Sequence, residues 1–273
     1  MRTLWALYSF VIGACFGSFL NVCISRWPEG LSVVRPRSRC PRCERQIGVL
    51  ENIPLVSWLA LRGKCRGCAL PISFQYPLVE LIVGLIWLAA FLHYGLSFSG
   101  LCVAMFATVL LGIAVTDAKH YLIPDGFTVF GLVWVIGTAM IALFTGGHEP
   151  FVGLYEALIG ACVGAGAIAI AGWLGEVTLK KEAMGFGDVT LMSVVGGAVG
   201  PQRALITVFL GALLGAVLFI GVVYPIAWLR ARTARRDFDP PLVPFGVFLA
   251  PAAMIALLWG DALISTYRRY SGL

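Results

Sequence analysis

The chain alternates between long apolar runs and short polar segments. Thr3–Ser25 is 23 residues without a charge, and Ser97–Thr116 is 20. Each is long enough, as a helix, to cross about 30 Å of hydrocarbon. Further apolar runs occupy Leu78–His93, Phe127–Phe144, Gly153–Gly175, Val189–Gly200, Ala204–Leu229 and Val243–Trp259. The pattern predicts an all-α polytopic membrane protein with about eight transmembrane helices. Val189–Gly200 is the short one. The first run exceeds a signal-peptide core and lacks a small-x-small cleavage site, so it reads as a retained span.

Composition agrees. The 273 residues are 59% hydrophobic and only 12% charged, about half the charge of a soluble domain. Charge also sets the orientation. With eight alternating spans, the segments Arg26–Pro77, Asp117–Gly126, Glu176–Asp188 and Arg230–Leu242 fall on one side and hold 16 of the 20 Lys and Arg residues. The positive-inside rule makes that side cytosolic and puts both termini outside. The net charge of +6 is then a topology signal facing anionic lipid, and nucleic acid is not called for. Three regions result: a first transmembrane helix (1–25), a cytosolic loop (26–77) and the remaining transmembrane helices (78–273).

The cytosolic loop carries CPRC (Cys40, Cys43) and CRGC (Cys65, Cys68). Two residues between thiols let one tight turn present both sulfurs, and two such knuckles complete a tetrahedral site. Four thiolates favour Zn²⁺, and a site with all four positions filled is structural. Disulfides would need an oxidising compartment, which a cytosolic loop does not meet. Cys15, Cys23, Cys102 and Cys162 lie in apolar runs and read as small buried hydrophobes.

Two acids stand out. Asp117 ends the third span, and Asp188 begins the sixth as the only charge between Ala183 and Gly200. Acids in hydrocarbon are costly and mark function or a partner. Two spans separate them, so parity brings both to the cytosolic face. Paired carboxyls there can share a proton and activate water, as in aspartic peptidases. Helix dipoles favour the anion on Asp188, at a helix N-terminus, over Asp117, at a helix C-terminus. The plainer readings are an interfacial cap for Asp117 and an ion pair with Lys180 or Lys181 for Asp188. A rival of another class is an ion- or proton-coupled transporter with paired intramembrane carboxylates. Asp125 reads as an N-cap, His120 as a loop residue. Glu80 is read either as an aid to a second site or as a partner for a loop arginine.

Several motifs in order resemble the bacterial type IV prepilin peptidases, the leader peptidase/N-methyltransferases of the GxGD type. They are FGSFLNVCISRWP (16–28), RSRCPRC (37–43), NIPLVSWLALRGKCRGC (52–68), ISFQYPLVE (72–80), TDAKHYLIPD (116–125), AMGFGD (183–188) and PFGVFLA (244–250). The resemblance implies a bacterial inner-membrane aspartic peptidase with Asp117 and Asp188 as catalytic pair. It implies zinc on Cys40, Cys43, Cys65 and Cys68. The implied substrates are type IV prepilins or type II secretion pseudopilins, cleaved at the cytoplasmic face after a basic leader. It also implies N-methylation of the new terminus with S-adenosylmethionine, for which no Gly-rich nucleotide loop is present. One departure is Thr190, where the family commonly has lysine.

Overall fold

A computed structural model describes residues 1–146, 149–180, 184–233 and 243–271. Among them the fold is almost wholly helical, with two isolated β-bridges and no strand. Among the described residues seven helices are long and apolar enough to span a membrane, and one shorter apolar helix joins them. They coincide with the eight apolar runs of the sequence. The protein is a multi-pass membrane protein.

The chain divides into two compact units, Met1–Gly112 and Ile113–Leu273. In the first, α1 (Arg2–Arg26) is joined to α3 (Gln75–Tyr94) by a segment containing the short α2 (Val56–Ala60); α4 (Phe98–His120) follows. Gly13 and Gly17 let α1 lie close on α3: a Cβ on Gly17 would come 2.7 Å from the Cα of Glu80. Phe16 stacks on Trp87 at 4.6 Å between ring centroids. Trp87 donates to the hydroxyl of Thr108 at 3.1 Å, which satisfies an indole N–H that burial would otherwise penalise.

The second unit holds the end of α4, then α5 (Asp125–Thr145), α6 (Leu154–Leu179), α7 (Phe186–Val199), α8 (Pro201–Leu218), a π-helical turn (Phe219–Val223), α9 (Tyr224–Thr233) and α10 (Gly246–Ser271). Helix α5 ends at Gly146 in the left-handed region. Pro201 opens α8 where its missing N–H costs nothing. At 14 residues, α7 is about 21 Å long, too short to cross hydrocarbon by itself. Its second half is enclosed by protein: every residue from Val194 to Val199 is buried, while Phe186 at its start is exposed. The reason is a backbone seam with α6. Cβ atoms built on Gly160 and Gly164 would collide with the carbonyl oxygens of Gly196 and Met192, and one on Gly196 with that of Gly160. Small residues at four-residue spacing are how membrane helices approach this closely. Arg203, mostly buried, forms an ion pair with Asp261 and donates to the Pro150 carbonyl at 3.1 Å. That ties α8 and α10 to the turn before α6.

Candidate active site and metal centre

Asp117 lies in the last turn of α4, and only 6% of its surface is exposed. Asp188 lies in the first turn of α7, partly buried, its amide donating to the Gly185 carbonyl at 3.1 Å. Both belong to the second unit, and their carboxyls are close enough for the charge of one to act on the other. Ile123 packs between their supports. A Cβ on Gly187 would come 2.9 Å from the Ile123 Cβ, and one on Gly246 would come 3.1 Å from its Cδ1.

Gly246 is a site residue that motif reading alone leaves without a role. A side chain there would press on the Asp117 Oδ2, with a Cβ only 2.9 Å away. The backbone amides of Gly246 and Val247, at the start of α10, also bear on the Asp117 carboxyl. So the dipole expectation for Asp117 needs amending. It meets the negative end of α4 and the N–H-rich end of α10 together, and those two act in opposite senses. Its Oδ2 is nonetheless buried without a hydrogen-bond partner. A buried carboxyl oxygen left this way is an open acceptor for a proton or a water.

The plainer roles find no support in the geometry. Among the described residues Asp188 makes no ion pair with Lys180; Lys181 lies outside them. Asp125 is the first residue of α5 rather than its cap, and no side chain caps that helix. His120 is exposed and closes α4, so it is helical and not in a loop. Thr190 spends its hydroxyl on the Gly187 carbonyl at 2.9 Å, within its own helix.

In the first unit the four cysteines Cys40, Cys43, Cys65 and Cys68 form one cluster, every sulfur within 4.8 Å of the others. Cys40 and Cys68 are 3.9 Å apart, Cys43 and Cys65 4.0 Å. A tetrahedron with metal–sulfur bonds of about 2.3 Å has edges of about 3.8 Å, so the cluster fits a metal ion. The two knuckles are copies in shape. In each, the first cysteine's carbonyl accepts from the residue four on (Glu44, Ala69), and that residue has positive φ. In each, the residue before the cysteine bridges the residue six after it, Arg39 with Gln46 and Lys64 with Pro71. Amides inside each turn face the leading sulfur. Those of Cys43 and Arg42 draw the Cys40 thiol down to about 6, and those of Cys68 and Gly67 lower Cys65. Cys43 goes the other way, to about 11: the Arg45 amide draws it down, but burial and its three cysteine neighbours together outweigh that. The leading thiol of each knuckle is the readily ionised ligand. Glu51 closes the module by accepting from Arg45 at 2.9 Å and Arg66 at 3.3 Å, one from each knuckle. Of the remaining cysteines, Cys23 and Cys102 are buried as expected, but Cys15 and Cys162 are exposed.

Among the described residues Glu80 pairs with no arginine. Its Oε2 accepts from the Leu55 amide at 2.8 Å, and the Ser18 hydroxyl also reaches it. Leu55 has a φ of 62°, a conformation that costs a branched residue energy and is held by its surroundings. A buried acid on α3 thereby fastens the loop segment 52–56 to the helix pair.

Comparison with known proteins agrees along the whole chain. Residues 11–94 match the bacterial peptidase A24 N-terminal domain, and residues 104–220 match the type IV leader peptidase family. A prepilin leader peptidase/N-methyltransferase of Stutzerimonas stutzeri is 36% identical, over 98% of this chain and 96% of its own. One from Myxococcus xanthus is 40% identical over 87% of this chain and 69% of its own. One from Bacillus subtilis is 32% identical over 94% and 96%. No solved structure matches the chain. Two domains matched in order, with relatives aligned nearly end to end, leave a single line of descent: this chain is a member of the type IV leader peptidase family.

Proposed function

We propose that the chain is a membrane aspartic peptidase. It removes the basic leader from type IV prepilins or type II secretion pseudopilins at the cytoplasmic face of the bacterial inner membrane. It then methylates the freed amino terminus using S-adenosylmethionine. The observation that carries the peptidase reading is that Asp117 and Asp188, at two helix ends, lie close enough for one charge to act on the other, beside an unpartnered carboxyl oxygen. Asp117 and Asp188 are the catalytic residues of this reading. They hold one proton between them and titrate as a pair. The ionised carboxyl takes a proton from water as its oxygen attacks the scissile carbonyl carbon. The protonated carboxyl gives its proton to the carbonyl oxygen. On collapse the C–N bond breaks, the amine leaves with a proton, and the dyad regains its starting charge. Gly187 and Gly246 keep the surroundings of the pair free of side chains. The family likeness leaves ion- or proton-coupled transport without support.

The methyltransferase reading rests on the names of the relatives. S-adenosylmethionine, when bound, supplies an electrophilic methyl group to the amine. The four cysteines fit a structural Zn²⁺ that stabilises a loop too polar to fold by burial alone. Elemental analysis of purified protein should find about one zinc per chain, and Cys40→Ser or Cys65→Ser should lose it. Full zinc in both variants would refute the assignment.

The activities are tested together. Purified protein in detergent, given a prepilin, should yield a product shortened by its leader. With S-adenosylmethionine the product should gain the mass of one methyl group. An uncleaved prepilin under these conditions would defeat the proposal.

A further inference from the structure

One buried side chain touches the supports of both carboxyls. Asp117 lies in the last turn of α4, and its carbonyl accepts from the Tyr121 amide at 2.9 Å. Tyr121 stands in the left-handed region with a φ of 52°, where glycine or asparagine is the usual helix stop. A tyrosine is held there against its own preference by the packing around it. The turn leaves Tyr121 and Leu122 exposed and buries Ile123 and Pro124. Pro124 then leads directly into α5. The short link after α4 thus sends one apolar side chain back toward the pair.

That side chain lies between two helix starts. On the α7 side, the atoms nearest a Cβ on Gly187 would be Ile123 Cβ, Cγ1 and Cδ1, at 2.9, 3.4 and 3.6 Å. On the α10 side, a Cβ on Gly246 would lie 3.1 Å from Ile123 Cδ1 and 2.9 Å from Asp117 Oδ2. Gly187 immediately precedes Asp188, and the Gly246 amide bears on Asp117. Both contacts are made against bare main chain. No side chain stands there to turn aside, so a change of spacing means moving a helix.

We propose that Ile123 is a positioning residue that sets the gap between Asp117 and Asp188. The proposal rests on the peptidase reading above and adds a residue to that site. Ile123 carries no group that can react. It acts through the two backbones it separates. A water bridges two carboxyls only when it lies about 2.5–3.0 Å from each. A pair pressed together has no room for that water, and a pair spread apart cannot hold it. Side-chain length is therefore the property that counts. Every substitution except glycine keeps the Cβ that meets Gly187. The extension to Cδ1 is what meets Gly246. Leucine keeps that length, valine loses its last methyl, and alanine loses all of it.

The test is steady-state cleavage of a prepilin by the full chain in detergent. Ile123→Ala should lower kcat at least about tenfold with KM kept within about twofold, because misplacing a reacting group by about 1 Å can cost about 10²-fold. Ile123→Leu should stay within about threefold of the wild type, as a volume-conserving change. Ile123→Val should fall between the two. The control for general loosening is Val83→Ala, a fully buried truncation in the first unit. It should lower the thermal midpoint and leave kcat within about twofold. A kcat for Ile123→Ala within about twofold of the wild type would overturn the proposal. So would a loss carried by KM alone, which would make Ile123 a substrate contact, or an equal kcat loss in Val83→Ala. Ile123→Leu falling as far as Ile123→Ala would overturn it as well, since length would then not matter. Where Ile123→Ala is not recovered folded, Ile123→Val and Ile123→Leu decide: a valine variant as active as the leucine one overturns the spacer. A wild type that leaves the prepilin whole would instead defeat the peptidase reading.

Discussion

Asp117→Ala and Asp188→Ala should each lower prepilin cleavage by at least about 10³-fold, and the double variant should be no worse than either single. The reason is that the two carboxyls work as one acid–base unit. With one gone, the other has no partner to share a proton and cannot be base and acid in the same step. The non-additivity separates this account from two independently useful acids, whose losses would multiply. Asp117→Asn and Asp188→Asn keep nearly the same volume, so a loss there as deep as in the alanine variants ties the effect to proton transfer. Secondary structure and zinc content should be unchanged throughout. A single variant that still cleaves at more than about a tenth of the wild-type rate would remove the dyad from the mechanism.

The second large effect is on the α6–α7 seam. Gly196→Ala should destabilise the protein by about 1–3 kcal/mol or more, because its Cβ collides with the Gly160 carbonyl. Neither side can turn aside: both colliding groups are on the main chain, where relief means separating two helices. Gly196→Val should prevent recovery of folded protein. The control is Gly166→Ala, on the facing helix α6, whose Cβ would meet nothing within 4 Å. It should change stability by no more than about 0.5 kcal/mol. Thermal midpoints in detergent measure both. Equal midpoints for Gly166→Ala and Gly196→Ala would mean the seam does not hold α7 in place. Because Asp188 stands on α7, Gly196→Ala should also reduce cleavage even where the protein survives.

The eight helices were legible because hydrocarbon selects for apolar length, a one-dimensional property. Even the shortness of α7 was visible, although its burial was not. The signal for that burial was present in Gly160 and Gly164, four residues apart, but only packing shows that they meet α7. The four-cysteine cluster was legible because ligand spacing within each knuckle is local chemistry. The role of Glu80 was not, since its partner is a backbone amide 25 residues away, and an amide has no signature in sequence. Gly246 was likewise opaque: its value lies in what it leaves open for Asp117, 129 positions earlier.

The sequence by itself determined which segments enter the membrane, which loop gathers the thiols, and which two acids stand out in apolar surroundings. These follow from transfer free energies and local spacing, which any segment carries wherever it ends up. Only the tertiary structure decided that α10 turns its amides toward Asp117, that glycine contacts seat the second half of α7 against α6, and that Glu80 grips the loop. Those depend on the rotation and depth of each helix against its neighbours. That is settled by the fit of many side chains at once, and no single stretch of sequence contains it.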